Sequence, residues 1–458
     1  MPKGPIPFSI IEQLESRQFL AAHIVGSATV YQTIQAAVDA AAAGATINVD
    51  AGTYNELVTV DKKLTLHGAF AGTDARATSR GTGESIVRGQ DDGTGKRTTG
   101  VRVTANDVTL DGFTVEDNSS SNQFGAGIVI APGVAGTHVV NNIVQHNVAG
   151  VYLVSSSATD QTVIQHNLFV ANNTVGENSG RAIYSDGGVS GGNLTNVLID
   201  SNTFKSNVGP DGIEAAIGLQ AQTLGKQSNI TISNNIFREN GKAVLLINAS
   251  NVTIKGNLIT GSIDEGSAAL RIEGGVSHAT ITLNTIANNK NAAIRIDKNF
   301  SSADNSDISI TQNNIFGNAQ GGLKVDAGAY TGTLDARNNY WGSASGPGGD
   351  GTGTGDAIFA NGNAVLFAPF STTLIAGAPD LSGTVTQPPT TNPPPVTQPP
   401  PTTNPPPVHH KKKHSRKWLE DHGYLKKKHH KPHKAKKHKK HKKHKKHHAA
   451  PATVVVSA

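Results

Sequence analysis

Cysteine is absent from all 458 residues, methionine occurs once, as Met1, and tryptophan twice. Without thiols the chain has no disulfide framework and no thiolate metal site. The lack of Cys and internal Met also removes the soft ligands copper favours. No apolar run approaches the length of a membrane-spanning helix. The opening, MPKGPIPFSIIEQLESRQFLAAH, carries Lys3 but interrupts its apolar residues with Glu12, Gln13, Glu15 and Arg17. That pattern is not an ordinary secretory signal.

Charge is unevenly spread. The net +6 combines a C-terminal segment, 409–458, with 17 Lys and Arg416 against Glu420 and Asp421. That segment is +16, which leaves −10 for the rest of the chain. Residues 384–408 are nearly all Pro, Thr, Asn and Gln and repeat VTQPPTTNPPP. Neither segment has enough apolar surface to offset chain entropy, so both are expected to be disordered. The first reads as a polyproline spacer reaching up to ~70 Å, the second as a polycationic arm suited to polyanions. The expected organisation is an export segment 1–27, a folded body 28–383, a linker 384–408 and a tail 409–458.

The body repeats. An apolar position recurs at Leu110, Val139, Ile164, Ile199, Ile232, Ile254, Ile281 and Ile310, and Leu334 opens a ninth, degenerate coil. Three residues on stand Phe113, then Asn142, Asn167, Asn202, Asn235, Asn257, Asn284 and Asn313; two further on stand Val115, Val144, Phe169, Phe204, Phe237, Ile259, Ile286 and Ile315. A second short strand of the form small–apolar–x–apolar follows in each coil, as in Gly127-Ile128-Val129-Ile130 or Ala269-Leu270-Arg271-Ile272. Strands alternating at period two and recurring once per coil predict an all-β, right-handed parallel β-helix, a solenoid whose strands stack ~4.8 Å apart. The asparagines are expected to adopt the left-handed turn conformation and to bond from coil to coil, a structural ladder. A helix at 33–43, capped by Thr33, should close the N-terminal end. Tyr340, Trp341, Phe359, Phe367 and Phe370 should plug the other.

Residues 33–69 (TIQAAVDAAAAGATINVDAGTYNELVTVDKKLTLHGA) and 338–349 (NNYWGSASGPGG) resemble the opening and closing segments of pectin-lyase-like right-handed β-helix proteins, in particular the NosD type. Residues 11–22 (IEQLESRQFLAA) resemble a bacterial sorting segment named for its Leu-Glu-Pro-Arg core, with Ser16 in place of the Pro. Together these resemblances imply export to the cell surface or matrix. Pectin-lyase-like proteins include lyases, hydrolases, epimerases, adhesins and inert scaffolds. The polygalacturonase, pectate-lyase and alginate-epimerase signatures are all missing, so no catalytic residue carries over. The NosD likeness implies copper, yet the six body histidines occupy different registers.

Such proteins work on the outer face of a strand column. The outward positions of the second strand are Val129, Tyr152, Tyr184, Gly218, Leu245, Arg271, Arg295 and Lys324. Arg271, Glu273, Arg295 and Asp297 read as charge pairing on a solvated face, at about 0.5 kcal/mol per pair, or as a binding stripe. The two longest coils bring Arg181, Tyr184, Asp186, Asp211 and Glu214 to one region, where carboxylates beside a tyrosine suit acid–base or calcium-assisted sugar chemistry. No metal ligands are assigned; calcium on the body and loose transition-metal binding by the 12 tail histidines are left open. The expected partner is a polysaccharide or envelope polyanion, not a specific nucleic-acid sequence. A polysaccharide lyase and a purely structural protein are the competing readings.

Overall fold

The computed structural model describes residues 20–383 apart from 78–79, 121–124, 188–192 and 213. The linker, the tail and most of the sorting segment therefore lie outside the described residues. Ala22–Ile24, at the end of the expected export segment, already belongs to the body, pairing antiparallel with Thr46–Val49.

The fold is a right-handed parallel β-helix. Each coil contributes one strand to each of three sheets, of 15, 10 and 12 strands. One coil illustrates the route: Gln227–Ser233 lies in sheet 1, Ile236–Arg238 in sheet 2 and Lys242–Ile247 in sheet 3, and Ala249–Lys255 begins the next. Corners of only one to three residues join them, so the inward side chains of all three sheets meet in one column.

Register matches the repeat. In sheet 1, Leu110, Val139, Ile164, Ile199, Ile232, Ile254, Ile281 and Ile310 pair in succession. In sheet 2, Val115 through Ile315 do the same, with Phe169, Phe204 and Phe237 stacked at centroid distances of 4.9 and 4.7 Å. Leu334 departs from this series. Ser309 pairs with Asp335, which sets Ala336, not Leu334, beneath Ile310.

The corner between sheets 1 and 2 holds an amide ladder. Each Asn Oδ1 accepts both the backbone N–H and the side-chain Nδ2 of the preceding coil's Asn, from Asn142 to Asn313 and on to Asn339. The expectation about conformation is corrected. The left-handed residue is the one before each ladder Asn: Asn141, His166, Ser201, Asn234, Gly256, Leu283 and Gln312. A second ladder, five residues further along each coil, fills the next corner through Asn118, Asn147, Asn172, Asn207 and Asn240, then Asn289 and Asn318. Interior asparagines persist because a buried polar group that is fully bonded costs little, whereas the backbone N–H it serves would otherwise be orphaned.

The N-terminal end is closed by the helix Ile34–Ala40, whose cap Thr33 accepts from Ala36 N. At the other end Trp341 is fully buried, Phe367 and Phe370 pack partly against the core, and Phe359 is exposed. From there the chain turns back. Ile375 N donates to Asn314 Oδ1, Thr285 donates to Pro379 O, and Arg238 holds the carbonyls of Leu381 and Ser382, so residues 375–383 climb the outside of sheet 2.

Candidate functional site

Sheet 3 places the outward side chains in one column: Val129, Tyr152, Tyr184, Gly218, Leu245, Arg271, Arg295 and Lys324 pair in register. Its two halves differ. Val129, Tyr152 and Tyr184 are only 5–6% exposed and form a small apolar cluster with Ala126, Ala149 and Val154. The strand period places Tyr152 and Tyr184 on the outer face, but they are covered there, and burial makes these rings part of the packing. Tyr184 Oη donates to Asp186 Oδ2 at 2.7 Å, and the Arg181 guanidinium lies 4.5 Å from the Tyr184 ring centroid. Burial, reinforced by the bond to Asp186, holds the Tyr184 phenol far above its usual pKa.

Below Tyr184 a cleft of about 360 Å³ opens, lined by Arg181, Glu214, Ala215, Lys242, Leu245, Asp264, Gly266, Ser267 and Arg271. Of the residues singled out in the sequence, Arg181, Glu214 and Arg271 meet here, and Tyr184 and Asp186 adjoin. Asp211 stands exposed on the preceding loop and does not line the cleft. Lys242, Asp264 and Ser267 escaped the sequence reading. The signal was present: in the rung position held by Ala149, Ala215, Ala268 and Ala292, two coils carry Arg181 and Lys242.

The cations here are unequally committed. Lys242 Nζ sits 2.6 Å from Asp264 Oδ2 with both side chains almost inaccessible. Burial pulls the Lys242 pKa down, against the pull of Asp264. Arg271 bonds Glu273 (2.8 Å) and Asp297 (3.0 Å), and Arg295 bonds Asp326 (2.5 Å) and lies as an ion pair 3.2 Å from Asp297. Asp297 is fully buried, so the stripe is not the solvated surface expected; losing one partner there would strand a charge out of water. Burial raises the Glu273 pKa despite Arg271. Arg181, by contrast, has no carboxylate partner among the described residues and bonds Asn178 Oδ1 at 2.7 Å. Glu214 Oε2 and Ser267 Oγ are buried without a hydrogen-bond partner there. A cation without a carboxylate partner, an unpaired acceptor and an unpaired hydroxyl in one cleft can hold a ligand bearing both a negative group and hydroxyls. Among the described residues, no three His, Asp or Glu side chains converge as a metal site.

The family model for the right-handed β-helix region matches residues 165–341, the coils that carry this cleft. No curated protein matches the sequence. Among solved structures, an alginate lyase from Paenibacillus sp. str. FPU-7 is 15% identical over 66% of this chain and 96% of its own, with a TM-score of 0.47. The A-module of the Azotobacter vinelandii mannuronan C-5 epimerase AlgE4 is 16% identical over 74% and 94%, with a TM-score of 0.42. A Streptococcus pneumoniae surface adhesin is 18% identical over 63% and 70%, with a TM-score of 0.34.

Proposed function

We propose that the protein binds an acidic polysaccharide through the sheet 3 cleft, and that it is an exported protein held on anionic envelope or matrix material by its basic tail. The observation that carries the binding reading is Arg181, a cation without a carboxylate partner among the described residues, in a cleft with the unsatisfied Glu214 Oε2 and Ser267 Oγ. A uronate residue offers a carboxylate to the guanidinium and hydroxyls to the other two.

Electrophoresis through gels containing polyuronate, with a neutral glucan as control, tests this. In salt that abolishes the tail's retention on heparin, the full-length protein should be retarded by the polyuronate alone, and Arg181→Ala, which breaks no ion pair among the described residues, should release it. Equal mobility in both gels removes the reading. The tail contributes separately. A 1–408 truncation should lose salt-sensitive retention on heparin while keeping Arg181-dependent binding. Export rests on the resemblance of residues 11–22 to the sorting segment, and cell fractionation of the tagged protein decides it.

A second reading is catalysis, favoured by the desolvated Lys242, whose lowered pKa moves it toward a working base. Elimination would have the neutral Lys242 amine take the proton next to the uronate carboxylate while the bond to the glycosidic oxygen breaks and that oxygen takes a proton from water, giving an unsaturated product. Polyuronate incubated with and without calcium should then gain the ultraviolet absorbance of that product, and Lys242→Met should abolish the gain; no absorbance in either condition excludes it.

A further inference from the structure

We propose that the cleft reads the end of a polysaccharide chain and not its interior. This inference rests on the acidic-polysaccharide reading of the same cleft and concerns how the chain lies in it.

The cleft follows the helix axis. Its lining passes from Arg181 through Glu214–Ala215 and Lys242–Leu245 to Arg271, four successive rungs, or about 14 Å at the usual strand spacing. A chain lying along it can continue only if the outer face of sheet 3 continues open in both directions. Upward it does not. The next outward residues, Tyr184, Tyr152 and Val129, are buried, and the Arg181 side chain lies across the Tyr184 ring at the junction.

Downward the boundary is slight: Arg295 Nη1 reaches Gly266 O at 3.3 Å, an exposed bond that water competes for. One end of the cleft is blind and the other is held by a surface contact.

The chemistry agrees with the shape. A terminal sugar carries one hydroxyl more than an interior sugar, at the position where the chain would have continued. Glu214, one rung from the blind end, can accept from such a hydroxyl. An interior residue has an ether oxygen there, which cannot donate, and would leave Glu214 unsatisfied. Discrimination against a group that cannot donate to a buried acceptor is a strong form of selectivity.

Calorimetric titration of the full-length protein with size-fractionated oligouronates and polymer, in salt that abolishes the tail's retention on heparin, tests this. The expected result is one protein per chain end at every length, with affinity reaching a plateau once the cleft is filled. Reduction of the sugar ring at the reducing terminus identifies which end is read. If the number of proteins per chain grows with chain length, chain-end reading is overturned and the binding reading stands. If no length binds, both fall together.

Discussion

Replacing Asn202 with alanine isolates what one rung of the ladder is worth. Its side chain is fully buried. Oδ1 accepts Asn167 N and Asn167 Nδ2, both at 2.9 Å, while Nδ2 donates to Ile164 O at 2.8 Å and Asn235 Oδ1 at 3.1 Å. Truncation leaves the Asn167 backbone N–H with no acceptor in a dry corner, a cost of about 1–3 kcal/mol. Asn167 Nδ2 keeps Val139 O at 2.8 Å, so its loss is a net hydrogen bond of roughly 1 kcal/mol, as are the bonds to Ile164 and Asn235. The sum is about 4–6 kcal/mol, placed between two coils. Because a solenoid's stability is a chain of nearest-neighbour terms, the loss should appear locally. Hydrogen exchange should quicken at Asn167 and the adjoining strand ends before distant coils respond, and the denaturation midpoint should fall. A change below about 1 kcal/mol, with exchange at Asn167 unaltered, would mean that water replaces the side chain and that the ladder adds nothing to stability.

Three further outcomes follow. Phe204→Ala empties the middle of a three-ring stack in a fully buried position and should cost about 3–5 kcal/mol in urea denaturation. Burial pushes the Asp200 carboxyl up, but bonds from Ser233, Gln165 and Asn234 outweigh it and leave its pKa below the ordinary 3.8. A depressed folded-state pKa gives stability that is complete above 3.8 and lost as pH falls through the folded value, so Asp200→Asn should flatten the acid limb of a stability-versus-pH curve. Arg271→Met leaves the buried Asp297 with Arg295 alone and should lower the melting temperature more than Lys324→Met, measured at matched pH.

The fold was legible because its signal is carried by inward residues, which the core constrains alike in each coil. Ile199, Ile232 and Ile254 face the same column for the same reason, so one alignment position predicted the register. The second amide ladder was as legible at a spacing of five from Asn142, Asn167, Asn202 and Asn235, and was missed only because the strand pattern drew the alignment. The left-handed position was not legible. His166, Ser201, Leu283 and Gln312 share no side-chain property, since the backbone there is imposed by the bonded coils on either side. The site was readable in part. Arg181 and Lys242 stand out in an alanine column, but the burial of Tyr152 and Tyr184 depends on what covers an outward face, and strand periodicity carries no information about cover. Asp297 was misjudged in the same way, since its period places it outside and its neighbours enclose it.

The return of residues 375–383 over sheet 2 changes how the solenoid bears tension. Gly383 lies against Ile236 and Leu258, several coils short of the terminal turn. A pull on the chain beyond it is taken up first by the Arg238 and Thr285 contacts at the flank. The last coil is thus shielded from direct peeling, and winding turns need not unravel one after another from the free end.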